Sequence, residues 1–445
     1  MVALLSVLLA LLPLQAASGM EIYRYATSVP QSSAYSVRVD GAEVPVLAYG
    51  QLHLAQFGSD SPVDVVVGIS GCDVRSVDVR PLGKGYDYEL DGNVLRLRLA
   101  PYDRVTVEVN GDTGNPLMIF VNPLEAERSQ EARGKRNILY FKAGNVYPVK
   151  RLALEDYDGL YIEGGAIVKA VILASDLSNF KIEGCGILDC TGEKGNAAKL
   201  TSCGKLSLSD ICVVNGSLAG FQFANCTDLS LSNVKVINLP AESADNNKAA
   251  FAWSGCKKVR AEHLFAYSQS FAYQINNKFF ETAYPTSDIE LSDCIGWNAL
   301  TASTLSISGA ENLPLSDVRV KDFYAIHSAG RKPAYRRSAV NISQSGSKQV
   351  SGLRFSNVFC EDPNENALTL TGWISDVVFD GVTVLKQAPR GSELKGTDFD
   401  HRVENVVFRN FRVEGQQVHS LQQAGFKSPS LGLNIVFTTR DAGPR

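Results

Sequence analysis

The chain of 445 residues is poor in histidine, tryptophan and methionine, with five, three and three of them. So little histidine, and no pair of cysteines spaced C-x-x-C among the nine present, argues against a structural zinc site. Lysine and arginine form no long run and the formal net charge is only −4, which favours neither nucleic acid nor an anionic membrane surface as partner. Beyond the first residues no apolar stretch reaches the roughly 20 residues of a membrane helix. The one long apolar run, Val2–Ala17 (VALLSVLLALLPLQAA), is too short to span and ends in small residues. It reads as a signal segment, residues 1–19, cut within Ala16–Gly19, and predicts a secreted or periplasmic protein.

What the sequence does have is a recurring cassette. Residues 203–213 read CGKLSLSDICV: an alternating apolar pair, a polar corner at Ser209–Asp210, then a second pair. It returns as CTDLSLSNVKV from Cys226 and CKKVRAEHL from Cys256, and more loosely further on. With the first apolar residue as anchor, the copies start at Phe180, Leu206, Leu229, Val259, Ile289, Val318, Leu353, Val377 and Val406. A fixed cassette at a drifting spacing of roughly 20 to 35 residues is the mark of a solenoid with insertions on one side. Alternation with period two makes each cassette a strand, a bend and a second strand. One coil cannot bury its apolar face, but stacked coils can, with equivalent residues about 4.8 Å apart. Asp210, Asn233, Asp293, Asp322, Asn357 and Asn410 all fall at the corner, where a tight turn favours residues tolerant of left-handed backbone. Cys203, Cys226 and Cys256 share one cassette position, so they are expected to be stacked, buried and unpaired.

Before the cassettes, short alternating runs such as Tyr35–Val39, Val63–Val67 and Val105–Val109 are separated by turn signals that include Asp91-Gly92. Strands at that spacing predict an antiparallel β-sandwich over residues 20–125. The polar stretch 126–136 (EAERSQEARGKR begins one residue earlier) reads as a linker, 137–430 as the solenoid and 431–445 as a tail. The fold class is therefore all-β: a right-handed parallel β-helix preceded by a small antiparallel β-sandwich domain.

The first coils carry the blocks YFKAG (140–144), YIEGGAIVK (161–169) and IEGCGILD (182–189). These resemble pectin-lyase-like β-helix proteins, in particular glycoside hydrolases of families 28 and 49, the polygalacturonase-like and dextranase-like enzymes. RPLGKGYDYELDGNVLRLRLAP (80–101) and PLMIFVNPLE (116–125) are similar to the sandwich that precedes the β-helix in many of them. The resemblance covers about residues 60 to 415. It implies O-glycosyl hydrolysis of a polysaccharide by aspartates on successive coils, set in an N-x-D loop, a D-D pair, G-H-G and R-x-K. Here the first aspartate falls on Ala249, the pair on Ser270–Phe271, and G-H-G near Ser306–Gly309, without a histidine. None of the usual acids carries over.

Hydrolysis of a glycosidic bond ordinarily needs two carboxyl groups, one to protonate the leaving oxygen and one to attack or to activate water. Asp245 is the candidate nearest the expected loop, in the insertion 239–248, with Glu242 beside it; Glu281 and Glu311 are the candidate partners, and Asp362 lies further on. Candidate binding groups are Asn246, Asn247, Ser268, Gln269, Asn276, Asn277 and Lys278, with Trp297 as an aromatic plate and Trp253 and Trp373 as others. Arg331, Lys332, Arg336 and Arg337 form a basic insertion suited to a carboxylate or sulfate. Three readings stand at this point: a glycoside hydrolase whose acids have moved, a non-catalytic polysaccharide-binding β-helix, and a lyase using Ca²⁺, for which no convincing acidic cluster is present. The expected partner is a polysaccharide or oligosaccharide, the expected state a monomer, and no metal or cofactor is implied.

Overall fold

The structure, a computed structural model, describes residues 19–216, 218–240, 249–277, 283–297, 302–310, 312–328, 338–363 and 365–439. The expected signal segment up to Ser18 lies outside them. The fold is the predicted right-handed parallel β-helix preceded by a small sandwich. From Ile138 onward a 28-stranded sheet winds through successive coils, and its pairings are parallel apart from the short hairpin Arg412–Val413 with Gln416–Gln417.

The anchors stack as their shared cassette position requires. Leu206 pairs with Leu229, Leu229 with Val259, and so on through Ile289, Val318, Leu353, Val377 and Val406, all buried in one core. The ladder runs on to Ile435 in the strand Gly432–Thr438, so the helix extends into the expected tail. The corner residues Asp210, Asn233, Asp293, Asp322, Asn357 and Asn410 have φ between 46° and 64°, the left-handed region the corner demands. Their side chains bridge coils, with Asn233 Nδ2 donating to Asp210 Oδ1 at 2.9 Å and Asn357 Nδ2 to Asp322 Oδ1 at 2.8 Å. A second left-handed ladder, one residue before the anchor, went unread: Asp228, Lys258, Asp288, Asp317, Asp376 and Asn405 have φ of 54° to 56°.

A full coil runs through three sheets, not two, and from Thr286 to Val384 its stretches in sheets I and II form one continuous strand. Sheet I carries Gly204–Ser209, Thr227–Ser232 and Lys257–Glu262, and sheet II Cys212–Asn215, Lys235–Asn238 and Phe265–Tyr267. Sheet III is the addition, with Ala198–Thr201, Phe221–Ala224, Phe251–Ser254, Tyr273–Asn276, Leu305–Gly309, Ser338–Gln344, Asn366–Thr371 and Gly391–Lys395. These strands are short and follow variable insertions, so they carry no common cassette. Their inward side chains form a stack of rings, Phe221, Phe223, Phe251, Trp253 and Tyr273, with centroids 5.5 to 6.1 Å apart.

The sandwich has a six-stranded and a five-stranded sheet, all antiparallel save for Leu52–Ser59 beside Asp112–Asn122. Those two strands are buried on both sides. Ala55, Phe57, Leu117, Ile119 and Val121 face the sandwich core, while Leu54, Met118 and Phe120 face Ile187, Val214, Ile237, Phe265 and Ile295 on the outside of sheet II. The sandwich is thus a clamp along the side of the β-helix. The stretch expected as a linker contains a helix, α1 (Ala126–Gly134), consistent with its run of good helix formers. Its Arg128 reaches Asp210 at 2.7 Å, and just before it the buried Glu125 accepts from Cys185 N–H at 3.0 Å and Tyr161 O–H at 3.1 Å.

Polar groups pin the same seam. Buried Glu108 accepts from Arg80 Nε at 2.9 Å and from the Trp297 indole N–H at 3.0 Å, and sits 2.7 Å from His327 Nε2. Glu361 meets Arg80 at 3.2 Å and the Gly83 N–H at 3.0 Å. A Cβ on Gly83 would come within 2.8 Å of the Phe359 ring, so only glycine fits there. Asp293 lies between Arg104, Lys84 (3.0 Å) and His263 (2.8 Å). Burial opposes its ionisation, but the His263 hydrogen bond and the two cations outweigh it and hold its carboxyl well below the usual carboxylate range. A depressed pKa contributes stability that is present above the unfolded value of about 3.9 and is lost as pH falls below it. Asp293→Asn should therefore lower stability near neutrality, with the gap to wild type closing in denaturation curves taken below about pH 3. A gap independent of pH would contradict this.

All nine cysteines are free, and Cys72 alone among them is exposed. Burial pushes the Cys212, Cys294 and Cys360 thiols up to about 12, which leaves little thiolate to react. The expected result of alkylation without reductant is one labelled thiol in the native protein and nine in denaturant. Fewer than nine in denaturant would reveal a disulfide.

Candidate functional site

With sheet II under the sandwich, sheet III carries a run of polar side chains on its outward face, most of them buried, among them Ser254, Asn276, Ser306 and Thr369. Its strands alternate, so every second residue points away from the core. One outward column runs Lys199, Gln222, Ala252, Gln274, Ser306, Asn341, Thr369 and Glu393. The next runs Thr201, Ala224, Ser254, Asn276, Ser308, Ser343, Thr371 and Lys395. Between Gln222 and Thr371 these columns hold amides, hydroxyls and two alanines, with a carboxylate only at Glu393 beyond them. Neighbours link across coils: Asn341 Nδ2 donates to Ser306 Oγ at 3.3 Å, and Ser308 Oγ lies 3.0 Å from Ser343 Oγ. Gln274 is 7% exposed and its Oε1 has no partner among the described residues. An unsatisfied buried carbonyl costs free energy that a donor from a ligand can recover.

The chain reaches sheet III from sheet II through segments 216–220, 239–250, 268–272, 298–304 and 327–337. It leaves for sheet I through 202–203, 225–226, 255–256, 277–285 and 310–314. The insertions therefore sit in the sequence at the two long edges of this one face. Asp245, Asn246, Asn247, Arg331, Arg336 and Arg337 belong to the first edge, and Lys278, Glu281 and Glu311 to the second; all nine lie outside the described residues.

The remaining candidates divide. Asn276 stands in the second outward column, buried, between Ser254 and Ser308. Ser268 and Gln269 lie at the first edge of the same coil, where Ser268 Oγ accepts from Asn238 Nδ2 at 3.3 Å. Trp297 is a correction. Its ring is fully buried on the outside of sheet II, 4.9 Å from Tyr267, with its N–H held by Glu108, so it serves the seam with the sandwich and offers no open plate. Trp253 is an inward core residue, and Asp362 pairs with Arg80 at 3.1 Å on the seam. Gln222, Gln274, Ser306, Asn341 and Thr369 were missed. The only signal for them was the alternation within strands of four to seven residues that no cassette marked.

No protein-family model matches the chain, and no curated protein matches it in sequence. Solved structures do match in fold. Dex49A from Penicillium minioluteum aligns at a TM-score of 0.62 and 14% identity, over 93% of this chain and 96% of its own. A polygalacturonase from Erwinia carotovora ssp. carotovora aligns at 0.52 and 12%, over 70% of this chain and 93% of its own. The chain thus has a parallel β-helix fold, similar in architecture to Dex49A and to this polygalacturonase.

Proposed function

We propose that the protein is a carbohydrate-active β-helix protein of glycoside hydrolase type, working outside the cytoplasm, that takes a polysaccharide along the outward face of sheet III. The observation that carries this is the amide and hydroxyl column through Gln274, Ser306 and Asn341, which points away from the core and is nonetheless buried, with the Gln274 carbonyl lacking a partner among the described residues. Repeating hydroxyls of a sugar chain need such a surface, with donors and acceptors at regular intervals of about 4.8 Å. The two structural neighbours support the reading, one being a polygalacturonase and the other a dextranase. Hydrolysis would fall to carboxylates of the flanking insertions, Asp245 on the first edge and Glu281 or Glu311 on the second, one as acid and the other as base or nucleophile. Asn246, Asn247, Ser268, Gln269, Asn276 and Lys278 would hold the sugar hydroxyls. Arg331, Arg336 and Arg337 would favour an acidic chain, whose binding should weaken as salt rises.

The second reading, polysaccharide binding without turnover, is favoured by the want of a carboxylate in the outward columns between Gln222 and Thr371. Reducing-sugar release and affinity electrophoresis on a panel of neutral and acidic polysaccharides separate the two. In the hydrolase reading, Asp245→Asn lowers turnover about 100-fold or more while binding survives. Turnover unaffected by Asp245→Asn would remove that residue from the chemistry. Retardation by a polymer with no sugar released would leave the binding reading, and neither effect on any polymer would end both.

A further inference from the structure

Away from sheet III, a groove of about 690 Å³ crosses the corner between sheets III and I. It arises from a step in the solenoid. Successive coils turn this corner in two residues, 202–203, 225–226 and 255–256, and then the next takes the longer path 277–285. The short turns make the floor, with left-handed backbone at Ser202, Asn225 and Gly255. The longer path ends in a wall that carries Tyr284, whose side chain is among the most exposed large ones, at 60%.

Three features mark this groove as more than a surface irregularity. First, the backbone that carries Tyr284 is held in place. Ala283 N–H donates to Asn225 Oδ1 at 2.8 Å on one side, and on the other Pro285 restricts the backbone of the residue before it. The ring packs on no other aromatic ring among the described residues, so its face is open. Second, the floor is built of small polar side chains and turn peptides, with Ser202 on one coil and Asn225 and Thr227 on the next. Third, Asp176 stands at one end and Lys257 in the floor near the other, and neither has an ion-pair partner among the described residues.

We propose that this groove is a second carbohydrate site, which docks a short neutral stretch of the same polymer with one sugar ring stacked on Tyr284. This rests on the carbohydrate reading above. An aromatic face suits the apolar side of a pyranose, and the volume lies in the range of small-ligand pockets, with few polar groups to fix orientation. The opposite charges of Asp176 and Lys257 favour a hydroxyl-rich chain over a polyanion, since either sign of ligand charge meets a like charge. Two sites on one polymer raise avidity without any change at the first.

The test is native affinity electrophoresis of the full chain in gels containing dextran, polygalacturonate or α-1,3-glucan. Wild type is compared with Tyr284→Ala, Tyr284→Phe and the sheet III double variant Gln274→Ala/Asn341→Ala. The groove predicts that Tyr284→Ala weakens retardation by the best polymer about ten-fold, the loss typical of one well-placed aromatic anchor, and that Tyr284→Phe retains it. Retardation unchanged in Tyr284→Ala but reduced in the double variant overturns the groove and leaves the carbohydrate reading standing. No retardation of wild type by any of the three overturns both.

Discussion

Arg80→Ala is expected to destabilise the protein by about 3–5 kcal/mol, the cost of stranding a buried charge. Arg80 is nearly buried and contacts Glu108, Glu361, Asp78 and Asp362 within 3.2 Å, and Glu108 and Glu361 are themselves buried. Removing the guanidinium leaves two carboxylates in the seam between sandwich and solenoid, with His327, the Trp297 N–H and backbone amides to face them among the described residues. Burial already pushes the Glu361 carboxyl up. A raised folded pKa means that the group disfavours the folded state once pH rises above its ordinary range, and that this cost disappears as the group is protonated. The penalty in Arg80→Ala should thus shrink on acidification, in the same direction as the closing gap of Asp293→Asn. Urea denaturation at neutral pH and at about pH 4 measures it. A loss under about 1 kcal/mol at neutral pH would show that water reaches these carboxylates and that the seam is not a sealed clamp.

Leu229→Ala should cost about 2–5 kcal/mol, as for other buried leucines. Leu229 is 1% exposed and lies in register between Leu206 and Val259 in the middle of the anchor ladder. The coils above and below are fixed by main-chain pairing on three sheets, so they cannot close over the cavity, which argues for the upper part of that range. The unfolding midpoint in denaturant reports it. An effect near that of an exposed position would mean that the ladder is not continuous in solution.

The cassette made sheets I and II legible because each of their strands combines an anchor, a corner residue and a second apolar pair within about a dozen residues. Asp210 and Asn233 were readable as corners because left-handed backbone selects their type. Sheet III was not readable in the same way. Strands such as Phe251–Ser254 are only four residues long and follow insertions of unequal length, so no fixed spacing reports them. Trp297 shows a different limit. Its position suggested an open aromatic plate, but it lies in the second strand of its coil, whose outer face is buried by Leu54, Met118 and Phe120, well over a hundred residues away. The site acids proposed on the insertions rest on sequence position relative to sheet III, whereas Gln274 and Asn341 became visible only through the register.

The most direct test of the central claim, that the outward face of sheet III holds the sugar chain, is calorimetric titration of wild type and Gln274→Ala/Asn341→Ala with an oligosaccharide of the polymer that wild type binds best. Two lost hydrogen bonds predict affinity lower by about ten-fold or more, with the thermal unfolding of the variant still a single transition. Equal affinity in the two proteins would contradict the assignment of this face.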